Sequence, residues 1–255
     1  MDLDLAQRVY LITGGTDGLG LALAETLLAE GARVSVCGRD ADRLAAAQQK
    51  LGPNALVLAA DVTSEVQLDE FIDATLQRFG QLDGAVSNAG HASGGAVANA
   101  TRESWLRDYE LKVLAAVQVA RRCTPALIES GGSLLNVLSI KAKAPDANST
   151  PTSASRAAGL ALTKALAAEL GPKGVRVNAV LIGLIESGQW VRTAANAQMA
   201  VDALYGTLAE SQRIPLGRVG RAEEFAALAA FLLSPKASYL TGVGINLDGG
   251  LSPVV

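Results

Sequence analysis

Seven short apolar runs recur along this chain, and each is followed by a segment long enough for a helix except the last, which closes the sequence. The runs fall at residues 8–13, 33–37, 55–60, 83–87, 133–139, 175–181 and 244–247. Helical patterns fill 18–30, 40–51, 64–79, 102–129, 152–171 and 222–233. A run such as Val9-Tyr10-Leu11-Ile12 has no polar alternate, so both of its faces are expected to be buried. Strands joined through helices need crossovers, and crossovers give a parallel sheet covered on both sides. The predicted fold class is therefore α/β, a Rossmann-type doubly wound sheet of about seven strands, as one domain over 1–255. With 49% hydrophobic residues in 255, the chain can fill such a core. Only residues 187–213 break the rhythm, and a long excursion at a strand end reads as a lid over a site.

Charge and composition exclude several classes. A formal net charge of -3 argues against a basic surface for nucleic acid. Two cysteines and one histidine make neither a disulfide framework nor a common zinc site, so no metal is expected. The longest apolar stretch, 226–233, is far below the ~20 residues of a membrane span. The acidic N-terminus shows no signal peptide, and the expected location is cytoplasmic.

The first strand runs into Thr13-Gly14-Gly15-Thr16-Asp17-Gly18-Leu19-Gly20 and then a helix. Glycines let the backbone approach an anion closely, and the helix N-terminus presents free N–H groups and positive partial charge to a pyrophosphate. At the first crossover this is a nucleotide cradle. The second strand ends at Gly38-Arg39, without the acidic residue that would hold a ribose diol. A small residue beside a guanidinium suits a 2′-phosphate, which favours NADP(H) and leaves NAD(H) as the alternative. Arg39 could otherwise pair with Asp42 or lie in solvent. Asp61-Val62 after the third run can order the adenine end, and Asn88-Ala89-Gly90 after the fourth allows close cofactor approach.

These motifs, in this order and with Asp248-Gly249-Gly250 near the end, resemble the short-chain dehydrogenase/reductase family across essentially the whole chain. Arg176-Val177-Asn178-Ala179-Val180, the 214–218 stretch Ile-Pro-Leu-Gly-Arg and Tyr239-Leu240-Thr241-Gly242 match its C-terminal half. The resemblance implies a nicotinamide dinucleotide, a small-molecule substrate and a homotetramer or homodimer. It also implies an Asn–Ser–Tyr–Lys set in which Ser holds the substrate oxygen and Tyr passes the proton. Carried over residue by residue, only Ser139 matches. Thr152 stands at the Tyr position, Arg156 at the Lys position and Lys112 at the Asn position. The chain thus reads as an atypical member of the family.

An aliphatic hydroxyl is far less acidic than a phenol, and Arg is a poor proton shuttle but a good fork for oxyanions. Lys112 lies in the apolar stretch 111–117, where burial would lower its pKa. It is the candidate proton-transfer group, acting with Ser139 or bracing the helix. Arg156 shares a helix face with Thr152 and is expected to contact the cofactor ribose, a substrate anion or an ion-pair partner. His91, beside Asn88-Ala89-Gly90, is the alternate acid/base. Lys141 and Lys143 follow Ser139, and Lys141 is a substrate-pocket candidate against a solvated pair. In the turn after the sixth run the resemblance places Gly183, the Ile185 backbone and Ser187 against the cofactor. Trp190, Met199 and Tyr205 would line an apolar pocket under the lid, or simply pack it. The function expected is an NADP(H)-dependent oxidoreductase on a small or medium carbonyl/alcohol pair, with non-standard proton delivery. The alternatives are a redox-neutral lyase, isomerase or cyclase on the same scaffold, and a non-catalytic nucleotide-binding subunit.

Overall fold

The computed structural model describes residues 2–255, apart from the side chain of Gln189. The chain opens with β1 (Val9–Thr13), α1 (Gly18–Ala29), β2 (Arg33–Gly38), α2 (Ala41–Leu51), β3 (Ala55–Ala59), α3 (Glu65–Phe79) and β4 (Gly84–Ser87). It continues through β5 (Gly94–Gly95), α4 (Arg102–Tyr109), α5 (Ala115–Ser130), β6 (Ser133–Ser139), β7 (Thr150–Pro151) and α6 (Thr152–Leu170). It closes with β8 (Arg176–Ile182), α7 (Gly188–Asn196), α8 (Val201–Ser211), α9 (Ala222–Leu233) and β9 (Gly244–Leu247). Seven strands form one parallel sheet in the order β3-β2-β1-β4-β6-β8-β9.

The alternation along β1 shows why its apolar run has no polar break. Tyr10 and Ile12 join one core with Leu23 and Leu27 of α1 and Phe225 of α9. Val9 and Leu11 join the opposite core with Phe71 and Ile72 of α3 and Leu127 of α5. Each of these side chains is fully or almost fully buried, and burying one of this size stabilises by roughly 1.5–3 kcal/mol. Local signals set the helix ends. Ser64 caps α3 by accepting from the Gln67 N–H, and Gly80 ends it at φ +74°. Among the described residues no helix is long and apolar enough to cross a membrane.

Strand order reverses between β1 and β4, so the chain leaves the carboxyl ends of these neighbours in opposite directions and opens a crevice. Asn88 stitches its floor, donating from Nδ2 to the carbonyls of Thr13 (2.9 Å) and Gly14 (3.0 Å).

Three features differ from the sequence expectation. The helix expected over 102–129 is two helices joined by a π-turn at Glu110–Leu114. The wider turn carries Lys112 inward without any Pro or Gly to announce it. Residues 187–213, read as a lid with no elements assigned within it, contain α7 and α8. Finally, β5 and β7 form a two-stranded antiparallel ribbon that ties the loop after β4 to the start of α6.

Candidate active site

A cleft of about 910 Å³ runs along the carboxyl edge of the sheet. Its near wall is the turn between β1 and α1. Gly14 (φ +64°) and Gly18 (φ +52°) take left-handed backbone there, and Asp17 caps α1 by accepting from the Gly18 N–H at 2.8 Å. Gly20 does not line the cleft. It packs behind the turn, where a Cβ would lie 2.4 Å from the Gly14 oxygen. The other predicted cofactor residues, including Thr16, Leu19, Val62, Ala89, Gly90, Gly183, Ile185 and Ser187, all face the cleft.

At the far end of β2, Arg39 pairs with Asp61 at 3.2 Å rather than with Asp42. Burial alone would raise the Asp61 carboxyl, but hydrogen bonds from Thr63 and the Arg39 charge outweigh it and hold the pKa below its ordinary value. Arg43 joins this wall and reaches Asp17 at 3.5 Å. Arg192 of α7 meets the same carboxylate at 3.1 Å, and a Cβ on Gly188 would come within 2.2 Å of it. The start of α7 therefore sits directly on the glycine-rich turn.

The other end of the cleft holds Ser139, Thr152, Arg156 and His91. Ser139 Oγ accepts from the Lys141 N–H at 3.3 Å, which leaves its own proton free to point into the cleft. Lys112 lies behind Thr152, out of the cleft, and its hydrogen bonds go elsewhere than to Ser139. Its Nζ donates to Asp108 Oδ1, to Ser93 Oγ (2.7 Å) and to Thr152 Oγ1. An ammonium has three donors, and all three are used. Asp108 Oδ1 also accepts from Ser93 Oγ, while Oδ2 accepts from Ser155 Oγ at 2.5 Å. Arg156 donates to the Val137 carbonyl at 2.7 Å, and its Nη2 lies 2.9 Å from where a Cβ on Gly90 would sit.

Burial pulls the Lys112 ammonium down to about 8, against the opposing pull of Asp108. Burial likewise lowers Arg156 to about 10. For Asp108 burial pushes upward, but the hydrogen bonds from Lys112, Ser155 and Ser93 prevail, and it stays ionised. His91, on the exposed rim, is pulled below its ordinary value by partial desolvation and by the Lys112 charge.

Trp190 lines the cleft, whereas the other expected pocket residues do not. Lys141 pairs with Asp146 at 3.4 Å, and Lys143 donates to the Gly244 carbonyl at 2.9 Å. Met199 is partly exposed beyond α7, and Tyr205 on α8 sits beside Glu186 and the Ser187 backbone. Helix formation in 187–213 turned both away. Sequence reasoning missed Asp108, Ser93, Ser155, Arg43 and Arg192. Asp108 had a readable signal, since it stands four residues before Lys112 and so shares its helix face. The two serines arrive from other elements and had none.

A parallel sheet with a glycine-rich cradle at its switch point defines a Rossmann-type α/β protein. A family model described as enoyl-(acyl carrier protein) reductase matches residues 14–252, and the chain belongs to this family of short-chain dehydrogenase/reductase oxidoreductases. It is 33% identical to L-fucose dehydrogenase of Bos taurus over 247 residues, covering 96% of this chain and 89% of that protein. The NADPH-bound structure of a short chain oxidoreductase from Pseudomonas aeruginosa PAO1, described as containing an atypical catalytic center, is similar at 37% identity and TM-score 0.90. That match covers 98% of this chain and all of the other. L-sorbose reductase from Gluconobacter frateurii, solved with NADPH and L-sorbose, matches at 31% identity and TM-score 0.94 over the full length of both.

Proposed function

We propose that this protein is an NADP(H)-dependent oxidoreductase interconverting a small or medium-sized carbonyl and its alcohol, with Thr152 and Lys112 together in the place of the family's phenol. One observation carries the reading: Thr152 Oγ1 accepts from Lys112, so the threonine's own proton is left for the cleft it lines. The coenzyme, once bound, supplies or accepts the hydride at the substrate carbon. In the reducing direction Ser139 donates a hydrogen bond to the carbonyl oxygen. Thr152 gives its proton to that oxygen as negative charge develops there, and in the same step takes a proton from the Lys112 ammonium. The products are the alcohol and a neutral lysine, which recovers its proton through the Thr152 hydroxyl from the cleft that this residue lines. No threonine alkoxide accumulates, which answers the weak acidity of an aliphatic hydroxyl. A lysine near 8 is well matched to this work at neutral pH. Arg156 is suited to the ribose, and its charge beside Lys112 favours an oxygen that gains electron density.

Arg39 and Arg43 on a wall without an acidic strand tip support NADP(H), as do the NADPH-bound relatives. Segment 187–213 is the lid, supported by the seat of Arg192 on Asp17. Exposed Leu114 and Val117 on the π-turn and α5 support self-association as a dimer or tetramer, which light scattering will read.

The test is a panel of ketones, β-keto esters and sugars, including L-sorbose and L-fucose, followed at the reduced-nicotinamide absorbance band. The expectation is substrate-dependent change with NADPH, and a loss of about 10²–10⁴-fold in Lys112→Met and Thr152→Val. Substrate consumed at constant absorbance would mean redox-neutral chemistry on this scaffold. Tight NADPH binding without turnover of any member would mean a binding subunit. Full activity in Lys112→Met would remove the lysine from the mechanism.

A further inference from the structure

Asp108 is a buried carboxylate at the centre of the site, and none of the roles carried over from the family belongs to it. The Lys112 and Asp108 side chains are 0% and 1% exposed, so neither charge has water to stabilise it. Asp108 stands on the last turn of α4, two residues before the π-turn and four before Lys112, which comes back over it. The β5–β7 ribbon pairs Gly94 with Pro151 and so sets Ser93 beside Thr152, their hydroxyls 3.2 Å apart, on the other side of the ammonium. Ser155, on the first turn of α6, holds the second carboxylate oxygen.

We infer that Asp108 is a positioning residue, which fixes the Lys112 ammonium against the Thr152 hydroxyl and is itself fixed by Ser93 and Ser155. The catalytic consequence rests on the proton role proposed for Lys112, whereas the geometric role does not. The charged groups facing Lys112 are Asp108 from α4, Arg156 from α6 and His91 from the loop after β4. Asp108 alone among them favours the ammonium. Without it, burial and Arg156 drive the lysine to its neutral form, which has one donor fewer and no charge to hold it on Thr152.

The test is an NMR titration of protein carrying ε-¹³C lysine, with the Lys112 signal assigned by its loss in Lys112→Met. The wild-type midpoint is expected near 8. In Asp108→Asn it should fall by about one to three units. The pH at which carbonyl reduction declines should fall with it, while the KM for NADPH stays unchanged because Asp108 does not line the cleft. A midpoint that stays or rises in Asp108→Asn overturns the inference. If the midpoint moves but the reduction profile does not, positioning by Asp108 stands and the proton role of Lys112 fails. Should Asp108→Asn not fold, Asp108→Asn/Lys112→Met removes the orphaned ammonium. Recovery of the fold in the double variant then supports the assignment, and continued misfolding refutes it.

Discussion

The buried Asp108–Lys112 pair makes a strong thermodynamic prediction, because both side chains are sealed from solvent. Removing one partner leaves the other charged in the interior or forces it to neutralise. Neutralising a lysine at pH 7 costs at most about 4.6 kcal/mol, from its ordinary pKa near 10.4, and neutralising an aspartate costs about 4.2 kcal/mol. These ceilings agree with the ~3–5 kcal/mol measured when one member of a buried pair is deleted. Lys112→Met should fall toward the lower end, since Ser93 and Ser155 still donate to the carboxylate. Asp108→Asn should not exceed the lower end either, because Lys112 near 8 needs only about 1.4 kcal/mol to neutralise at pH 7, which caps the penalty of its orphaned charge. The double variant loses both charges and should lie within about 1–2 kcal/mol of wild type. Urea unfolding at fixed protein concentration reads the cycle. With a slope of roughly 3 kcal/mol per molar, each single change lowers the midpoint by about 0.5–1 M. The pH dependence gives a second check with opposite signs. In Asp108→Asn the folded lysine pKa is depressed below the wild-type value near 8, so the stability lost relative to wild type returns as pH rises through 8. In Lys112→Met the folded aspartate pKa is raised, so lost stability returns as pH falls toward 4. Additive single effects, or two pH profiles that tilt the same way, would refute the reasoning.

Three other outcomes are expected. Arg39→Ala should weaken NADPH binding by about 10–150-fold, the value of a charge-assisted hydrogen bond, and leave NADH unchanged by calorimetry. Gly20→Ala puts a Cβ 2.4 Å from the Gly14 oxygen, so it should cost roughly 1–3 kcal/mol in unfolding and lower affinity for either coenzyme. The rate of carbonyl reduction should fall about tenfold per pH unit above about 8 as Lys112 loses its proton, while alcohol oxidation rises as pH approaches 8 and levels off above it.

The layered architecture was legible because β1, buried on both faces, leaves no polar alternate in Val9-Tyr10-Leu11-Ile12. The cradle was legible for a similar reason, since positive φ at Gly14 and Gly18 leaves little choice of residue. The departure at Lys112, Thr152 and Arg156 was visible by position, but the partners of Lys112 were not. Its neighbour was expected to be Ser139, at the end of β6. The π-turn and the β5–β7 ribbon instead direct it to Asp108, Ser93 and Thr152. Neither device has a composition signature, because an ordinary helical pattern spans the first and two glycines mark the second. Met199 and Tyr205 illustrate a different limit. A segment can be recognised as an insertion while the faces of α7 and α8 are set by packing that no local pattern reports.

The hydrogen-bonded ring around Lys112 has a consequence for how such a centre can change over time. Every donor of the ammonium and both oxygens of the carboxylate are engaged, so no member can be exchanged alone without stranding a neighbour. Installing a phenol at position 152 removes the hydroxyl that now accepts from Ser93 and Lys112. Conversion to the commoner family chemistry therefore requires coordinated replacement of residues drawn from three separate stretches of chain. Such a centre behaves as a block, each member held in place by the others.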